Sequence, residues 1–485
     1  MLFNSIDFAV FFPIFFVIYW LVSDNLKLRN VFLLVASYFF YGWWDWRFLF
    51  LIAFSSFVDY YVGKQLNKTE GNAKRKRLLL VSLLVNLGFL VYFKYTNFFI
   101  DTFVSSFKLF GDNLEVSTLN IILPVGISFY TFQTLSYTID IYRKQLKPTK
   151  DALSFFTFVA FFPQLVAGPI ERASHLLPQF YKTYKFNYYQ VKSGLLLVAF
   201  GLFKKMVIAD RLAILVNQVY NNPTDHGGLD LIIATVFFAF QIYCDFSGYS
   251  DIAIGLARTM GFDLMKNFDS PYFSKSITEF WRRWHISLST WFRDYVYIPL
   301  GGSRNGKYRT YLNLFIVFFV SGLWHGAAMT FVIWGAIHGI IIVLEKAFKP
   351  KLHNFLKSIN FNLKSIGSNM LFMTITFFTV CFAWVFFRAN SFKDAIYIIS
   401  NSASTKNEHS IVELGLSQGE IIIAILSIIS LIGFDYYHKK QSIFALLNKE
   451  GVVFRYSVYL TIIFVILIFG IYGEDSVSEF IYFQF

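Results

Sequence analysis

Charge is scarce in this chain, and cysteine and proline are scarcer still. Only 15% of its 485 residues are charged, whereas 56% are hydrophobic and 21% aromatic. One water-soluble globule cannot enclose that much apolar surface, so lipid must be the solvent for most of the chain. The two cysteines, Cys244 and Cys381, both fall inside apolar runs, which argues against a disulfide framework. Ten prolines and 28 glycines are thinly spread, and no serine-, glutamine- or acid-rich tract marks a disordered region. No detachable soluble domain is visible, and residues 1–485 read as a single polytopic domain.

Several catalytic signatures are missing as well. There is no GxSxG nucleophile elbow, and the Gly301, Gly302, Ser303 turn is too short for a nucleotide-binding loop. No HExxH, HxxxH or CxxC spacing supports a metal site, and none is expected from His285, His325 and His338. The internal repeat that builds many secondary transporters is also lacking. A net charge of +13 raises the question of nucleic acid, but the basic residues stand in short blocks between apolar runs, as cytoplasmic loops do. No nucleic-acid partner is expected.

What the chain does have is a succession of apolar runs. A bilayer core needs roughly 17–25 mostly apolar residues per helix. Candidate runs lie near 8–22, 30–46, 48–63, 78–96, 119–141, 193–219, 231–257, 311–326, 328–345, 370–388, 421–437 and 456–473. The start, Met1 to Trp20, lacks a basic leader and a small-residue cleavage site and reads as the first span. These runs predict an all-α integral membrane protein with about 11–12 transmembrane helices. The stretch 155–168, broken by Pro163 and followed by Pro169, reads as a re-entrant segment.

Loop charge orients the set. Lys64, Lys68, Lys74, Arg75, Lys76 and Arg77 place one loop in the cytoplasm. Alternation then places Arg143 to Lys150, Lys346 to Lys364, and Lys439 to Arg455 there too. Asp101, Asp112 and Glu115, then Asp225 and Asp230, then Glu474, Asp475 and Glu479 fall outside, so both termini should be extracytoplasmic.

Four groups of residues carry candidate chemistry. From Thr278 to Tyr295 the wheel gathers Phe280, Trp281, Trp284, Leu288, Trp291, Phe292 and Tyr295 on one arc, predicting an amphipathic helix at the inner membrane face. His285 sits at the edge of that arc, and wheel position alone makes it an interfacial histidine with a wet tip. His325 lies in Ser321, Gly322, Leu323, Trp324, His325, Gly326, an ionisable ring inside an apolar run, where such groups are costly and usually functional. A hydrogen-bonded packing histidine is the alternative. His338 follows within another span, and Asp245 and Asp251 put two carboxylates into a run otherwise fit for lipid. Those carboxylates must face protein, either to orient catalytic groups or arginines or to make internal salt bridges.

The strings from Tyr243 to Gly261, ITEFWRRWHISLSTWFRDYVYIPLGGSR at 277–304 and SGLWHGAAMTFVIWGAIHG at 321–339 resemble the membrane-bound O-acyltransferase family. FFPQLVAGPIER at 161–172, the opening MLFNS and YGWWDWRF at 41–48 are similar too, so the resemblance covers most of the chain. It implies a family core of about 120–345, flanked by N-terminal spans in 1–118 and C-terminal spans in 370–485. It also implies helices tilted around a central funnel and tunnel, with the acyl donor entering from the cytoplasm and the acceptor engaged from outside. His325 corresponds to the family's catalytic histidine and His285 to its second hallmark histidine. Trp281, Arg282, Trp324, His338, Asp245 and Asp251 are candidates to bind substrate or line the tunnel.

The length of the chain resembles the branch that acetylates exported polysaccharides such as alginate. The reading is then an inner-membrane acetyltransferase of a bacterium, with acetyl-CoA as donor substrate, no bound cofactor and an extracytoplasmic partner protein for the final transfer. A neutral imidazole suits removal of a hydroxyl proton during attack on a thioester, which would make His325 the base. Arg282, Arg283, Arg293 and Arg304 are placed to attract the phosphates of the donor, or are solvated loop charge. D-alanyl or other acyl relay to a cell-wall polymer is the alternative within the class, and a membrane transporter the alternative outside it.

Overall fold

Most of the apolar runs fold into helices in the computed structural model, which describes residues 1–109, 119–404, 409–438, 446–472 and 480–481, and no strand occurs among these residues. Asp112, Glu115, Lys439, Lys440, Glu474, Asp475 and Glu479, used above for orientation, lie outside the described residues. Eleven of the twelve runs lie largely on helix, whereas the run at 119–141 is helical only from Ile127 onward. Among the described residues, six helices are both long and apolar enough to cross a bilayer: Asn72–Val104, Gly228–Thr259, Met329–Ser358, Ile366–Arg388, Gln418–Tyr437 and Val452–Phe469. The other runs lie on helices that are shorter, more polar or interrupted, Ile6–Val22 being the apolar one among the shorter. Leu467 and Ile468 on Val452–Phe469 are 61% and 67% exposed, a surface that only lipid can satisfy.

The chain divides into two compact units. One comprises Met1–Val198 with Ile252–Met265, the other Ala199–Asp251 with Lys266–Phe485. In the first unit the buried carboxylate of Asp59 ties three helices together. It accepts from Ser82 Oγ, from Asn86 Nδ2 at 2.8 Å and from Thr138 Oγ1 at 2.9 Å. Arg75, counted above as loop charge, is in fact buried, and its guanidinium donates to the carbonyls of Leu66, Ile141 and Tyr142. These carbonyls lie at the C-terminal ends of Phe48–Lys68 and Ile127–Tyr142, where a cation offsets the orphan acceptors of a helix end.

The stretch expected to be re-entrant is two short helices, Ala152–Ala160 and Phe162–Leu165, parted at Phe161 and buried throughout 157–173. Pro163 fits the first turn of the second helix, where its missing N–H costs nothing. Nine and four residues are too few to cross a bilayer core.

The second unit holds both cysteines, each buried and free. Two of its helices, Gly306–His325 and Met329–Ser358, cross where Gly322 meets Gly335. A Cβ on Gly335 would lie 2.9 Å from Gly322 Cα, so only glycine lets the backbones come this close.

Candidate active site

The segment Thr278–Tyr295 is not the single amphipathic helix that its wheel predicts. Ser276 caps a first helix, Ile277–Arg283, by accepting from the Glu279 amide, and a second helix runs Ile286–Phe292. Between them Trp284 is extended and His285 takes φ 43° and ψ 56°, a left-handed conformation rare for a residue with a side chain. The break turns His285 inward. Its ring is fully buried instead of wet, with Phe246 edge-on at 4.6 Å between ring centroids. No glycine or proline marks the break, and the apolar arc continues through it, so the wheel could not show it.

Asn267 holds this break in place. Its backbone oxygen accepts from Ile286 N at 2.9 Å, and its side-chain oxygen accepts from Ser287 N at 3.3 Å and Ser287 Oγ at 2.8 Å. The same oxygen lies 3.1 Å from His285 Nδ1. An oxygen that takes a backbone N–H is an acceptor, so Nδ1 carries the proton and Nε2 the lone pair. Burial lowers the imidazole to about 3, which keeps it neutral at ordinary pH.

His325 is the last residue of Gly306–His325 and is buried, its ring centroid 4.8 Å from Trp324, 4.9 Å from Trp334 and 5.5 Å from Phe387. Trp324 in turn stands 6.1 Å from His285, and Trp334 stands 5.0 Å from His338. Trp281 donates its indole N–H to His338 Nδ1 at 3.2 Å, which places the proton of neutral His338 on Nε2. Three histidines separated by up to 53 positions along the chain are thus linked through three tryptophans, and Trp334 is the member that sequence reasoning missed. It lies in a tryptophan-rich apolar run and carries no signal that separates it from core.

Asp245 and Asp251 have lysine partners. Lys205 Nζ lies 2.7 Å from Asp245 and 2.8 Å from Asp210, and Lys204 Nζ lies 2.7 Å from Asp251. Asp245 also accepts from the Ile481 amide at 2.7 Å. Lys204 and Lys205 are both buried in the π-helical stretch Phe203–Ala209, and they went unremarked in the sequence because they read as charge at one point of a long apolar run. This is the salt-bridge arrangement given above as one of two readings for the carboxylates.

A cavity of about 770 Å³ has Trp281, the hydrogen-bond partner of His338, in its wall, but His285, His325 and His338 are not among its lining residues. Trp281, Phe318 and Ser321 line it, and Ser321 is one helical turn before His325. Arg282, Arg293, Lys346, Lys349 and His353 give it basic side chains, with Glu345 among them. Arg282 is exposed and Trp281 buried, so neighbouring residues serve the solvent-facing and the enclosed parts of the same wall. Arg283 turns instead to Glu279, at 2.9 Å, and Asp269.

Residues 143–384 match the membrane-bound O-acyltransferase family. The chain is 42% identical over 396 residues, 81% of its length and 73% of the relative's, to a probable alginate O-acetylase of Pseudomonas syringae pv. tomato. It is 36% identical over 429 residues, covering 82% of this chain and 79% of the relative, to a peptidoglycan O-acetyltransferase of Helicobacter pylori. A teichoic acid D-alanyltransferase of Bacillus subtilis is 29% identical over 288 residues, covering 56% of this chain and 70% of the relative. The helical membrane architecture and these similarities agree: the chain belongs to the membrane-bound O-acyltransferase family and is a multi-pass membrane O-acetyltransferase.

Proposed function

We propose that the protein takes acetyl from cytoplasmic acetyl-CoA and passes it across the bacterial inner membrane, directly or through an extracytoplasmic partner protein, to a hydroxyl of an exported polysaccharide such as alginate. The observation that carries this reading is the cavity whose wall includes Ser321, one turn before His325 on the same helix, and which joins basic side chains suited to phosphates to an aromatic end at Trp281 and Phe318 suited to a thioester arm. His325 is the general base. As it takes the acceptor hydroxyl proton, the oxygen forms an ester bond to the acetyl carbon, the carbon–sulfur bond breaks, and the thiolate of CoA leaves to be protonated by solvent.

His285, neutral and with its lone pair on Nε2, supports the reacting end, and Trp324 keeps the two imidazoles apart. Asp245 and Asp251 act through Lys205 and Lys204, fixing the long helix Gly228–Thr259 that carries Phe246 against His285. Loop charge supports a chain with both termini outside. No bound cofactor is needed, since acetyl-CoA is consumed as substrate.

Similarity to a teichoic acid D-alanyltransferase favours a second reading, relay of D-alanyl or another acyl group to a cell-wall polymer. Purified protein in proteoliposomes, loaded outside with polysaccharide and inside with either labelled acetyl-CoA or a labelled D-alanyl carrier thioester, distinguishes the two. Acetyl label appearing as O-ester on the outside supports the proposal. D-alanyl label alone overturns the choice of acyl group, and no covalent product from either donor, with extracytoplasmic extract of the source cells supplied outside together with the polysaccharide, overturns the reading as a whole.

A further inference from the structure

His226, Asp230 and His409 converge at a place none of whose residues lines the cavity described above. His226 follows the turn Pro223–Asp225, Asp230 lies in the first turn of Gly228–Thr259, and His409 immediately precedes the capped turn Ile411–Leu414. Nδ1 of His409 is 2.9 Å from Asp230 Oδ2, and Nδ1 of His226 is 3.4 Å from the same oxygen. The candidate ligand atoms of all three residues lie within 4.8 Å of one another, and the two rings are 5.0 Å apart between centroids. His226 and Asp230 are buried, whereas the His409 side chain is 38% exposed.

We propose that these three residues bind a first-row divalent cation, with zinc the best match. Zinc takes imidazole nitrogen and carboxylate oxygen at about 2.0–2.2 Å in a tetrahedron, which sets neighbouring ligand atoms about 3.4 Å apart. The 3.4 Å and 2.9 Å separations therefore need only small adjustment around an ion. Two imidazoles select against magnesium and calcium, which prefer oxygen. A cation also offsets the cost of a buried carboxylate beside two imidazole rings.

Backbone contacts position both histidines independently of an ion. The Tyr397 hydroxyl donates to the His226 carbonyl at 3.4 Å, and His409 N donates to Asp230 Oδ2 at 3.2 Å. The exposed side of His409 leaves the fourth position to water, and the ion has a structural role. Asp230 precedes Asp245 by 15 residues on one helix, about 22 Å at 1.5 Å per residue, so the ion lies well away from the Asp245–Lys205 pair. It ties the first turn of that helix to the segment before Gln418–His438, through Asp230 and His409, 179 positions apart.

The test uses full-length protein without a polyhistidine tag, purified in detergent, stripped by chelator and titrated with zinc chloride. Bound metal is measured by mass spectrometry and the unfolding midpoint by thermal scan. The proposal expects one zinc per chain and a zinc-dependent rise in midpoint. His409→Ala, at a half-exposed position that should leave folding intact, loses both, and His409→Cys retains zinc because thiolate replaces imidazole as ligand. Wild-type protein that takes up no zinc overturns the proposal and leaves a hydrogen-bonded cluster. Equal uptake by His409→Ala also overturns it, because the metal would then lie elsewhere.

Discussion

Asn267 holds its side-chain oxygen 3.1 Å from His285 Nδ1 while the same oxygen accepts the Ser287 amide, so the asparagine decides which imidazole nitrogen is protonated. Burial already depresses this histidine to about 3 from its ordinary 6.5. Asn267→Asp places a carboxylate against Nδ1–H, stabilises imidazolium and raises that value. The acidic limb of the acetyl-transfer pH profile then moves to higher pH, each unit of rise costing about tenfold in neutral imidazole below it. A limb that stays where it is in Asn267→Asp shows that His285 has no part in the transfer.

The comparison between His285→Ala and Trp281→Phe bears on the same residue. Trp281→Phe keeps an aromatic ring at the cavity wall and loses one indole hydrogen bond to His338, worth about 1 kcal/mol. His285→Ala removes a buried neutral imidazole next to Trp324. Initial acetyl-transfer rates at matched protein should fall further in His285→Ala. The reverse order, with thermal stability reduced in step, would assign His285 to seating the helix break.

Lys205 compensates two buried carboxylates, Asp245 and Asp210. Lys205→Met removes the cation they share and should cost about 3–5 kcal/mol, visible as loss of folded protein on detergent size exclusion. Lys205→Met/Asp245→Asn/Asp210→Asn should recover much of it. A single variant as stable as wild type would show the pairs to be incidental.

The helices were legible because each apolar run exceeds the length a soluble core helix needs, and His325 stood out because an ionisable ring between Gly322 and Gly326 conflicts with its apolar surroundings. The break at His285 was hidden, since its cause lies in Asn267, 18 positions away, and not in a local turn residue. The lysine partners of Asp245 and Asp251 were hidden for the same reason, at 40 and 47 positions. Arg75 was misjudged as loop charge because the helix carbonyls it serves come together only in the fold.

Topology is open to direct labelling. Gly71 and Asn222 are both exposed at helix boundaries, on loops that charge assigns to opposite sides. In a Cys244→Ser/Cys381→Ser background, Gly71→Cys should react with an impermeant maleimide only after the cells are opened, and Asn222→Cys in intact cells. Labelling of both from outside contradicts the assignment.

The central claim is that His325 removes the proton of the acceptor hydroxyl. Its most direct test is the initial rate of labelled acetyl transfer from acetyl-CoA by purified wild type and His325→Ala, with insertion and melting recorded for both. The account predicts a fall of about 10²- to 10⁴-fold in a protein that still inserts and melts as wild type does. Turnover by well-folded His325→Ala close to that of wild type would contradict it.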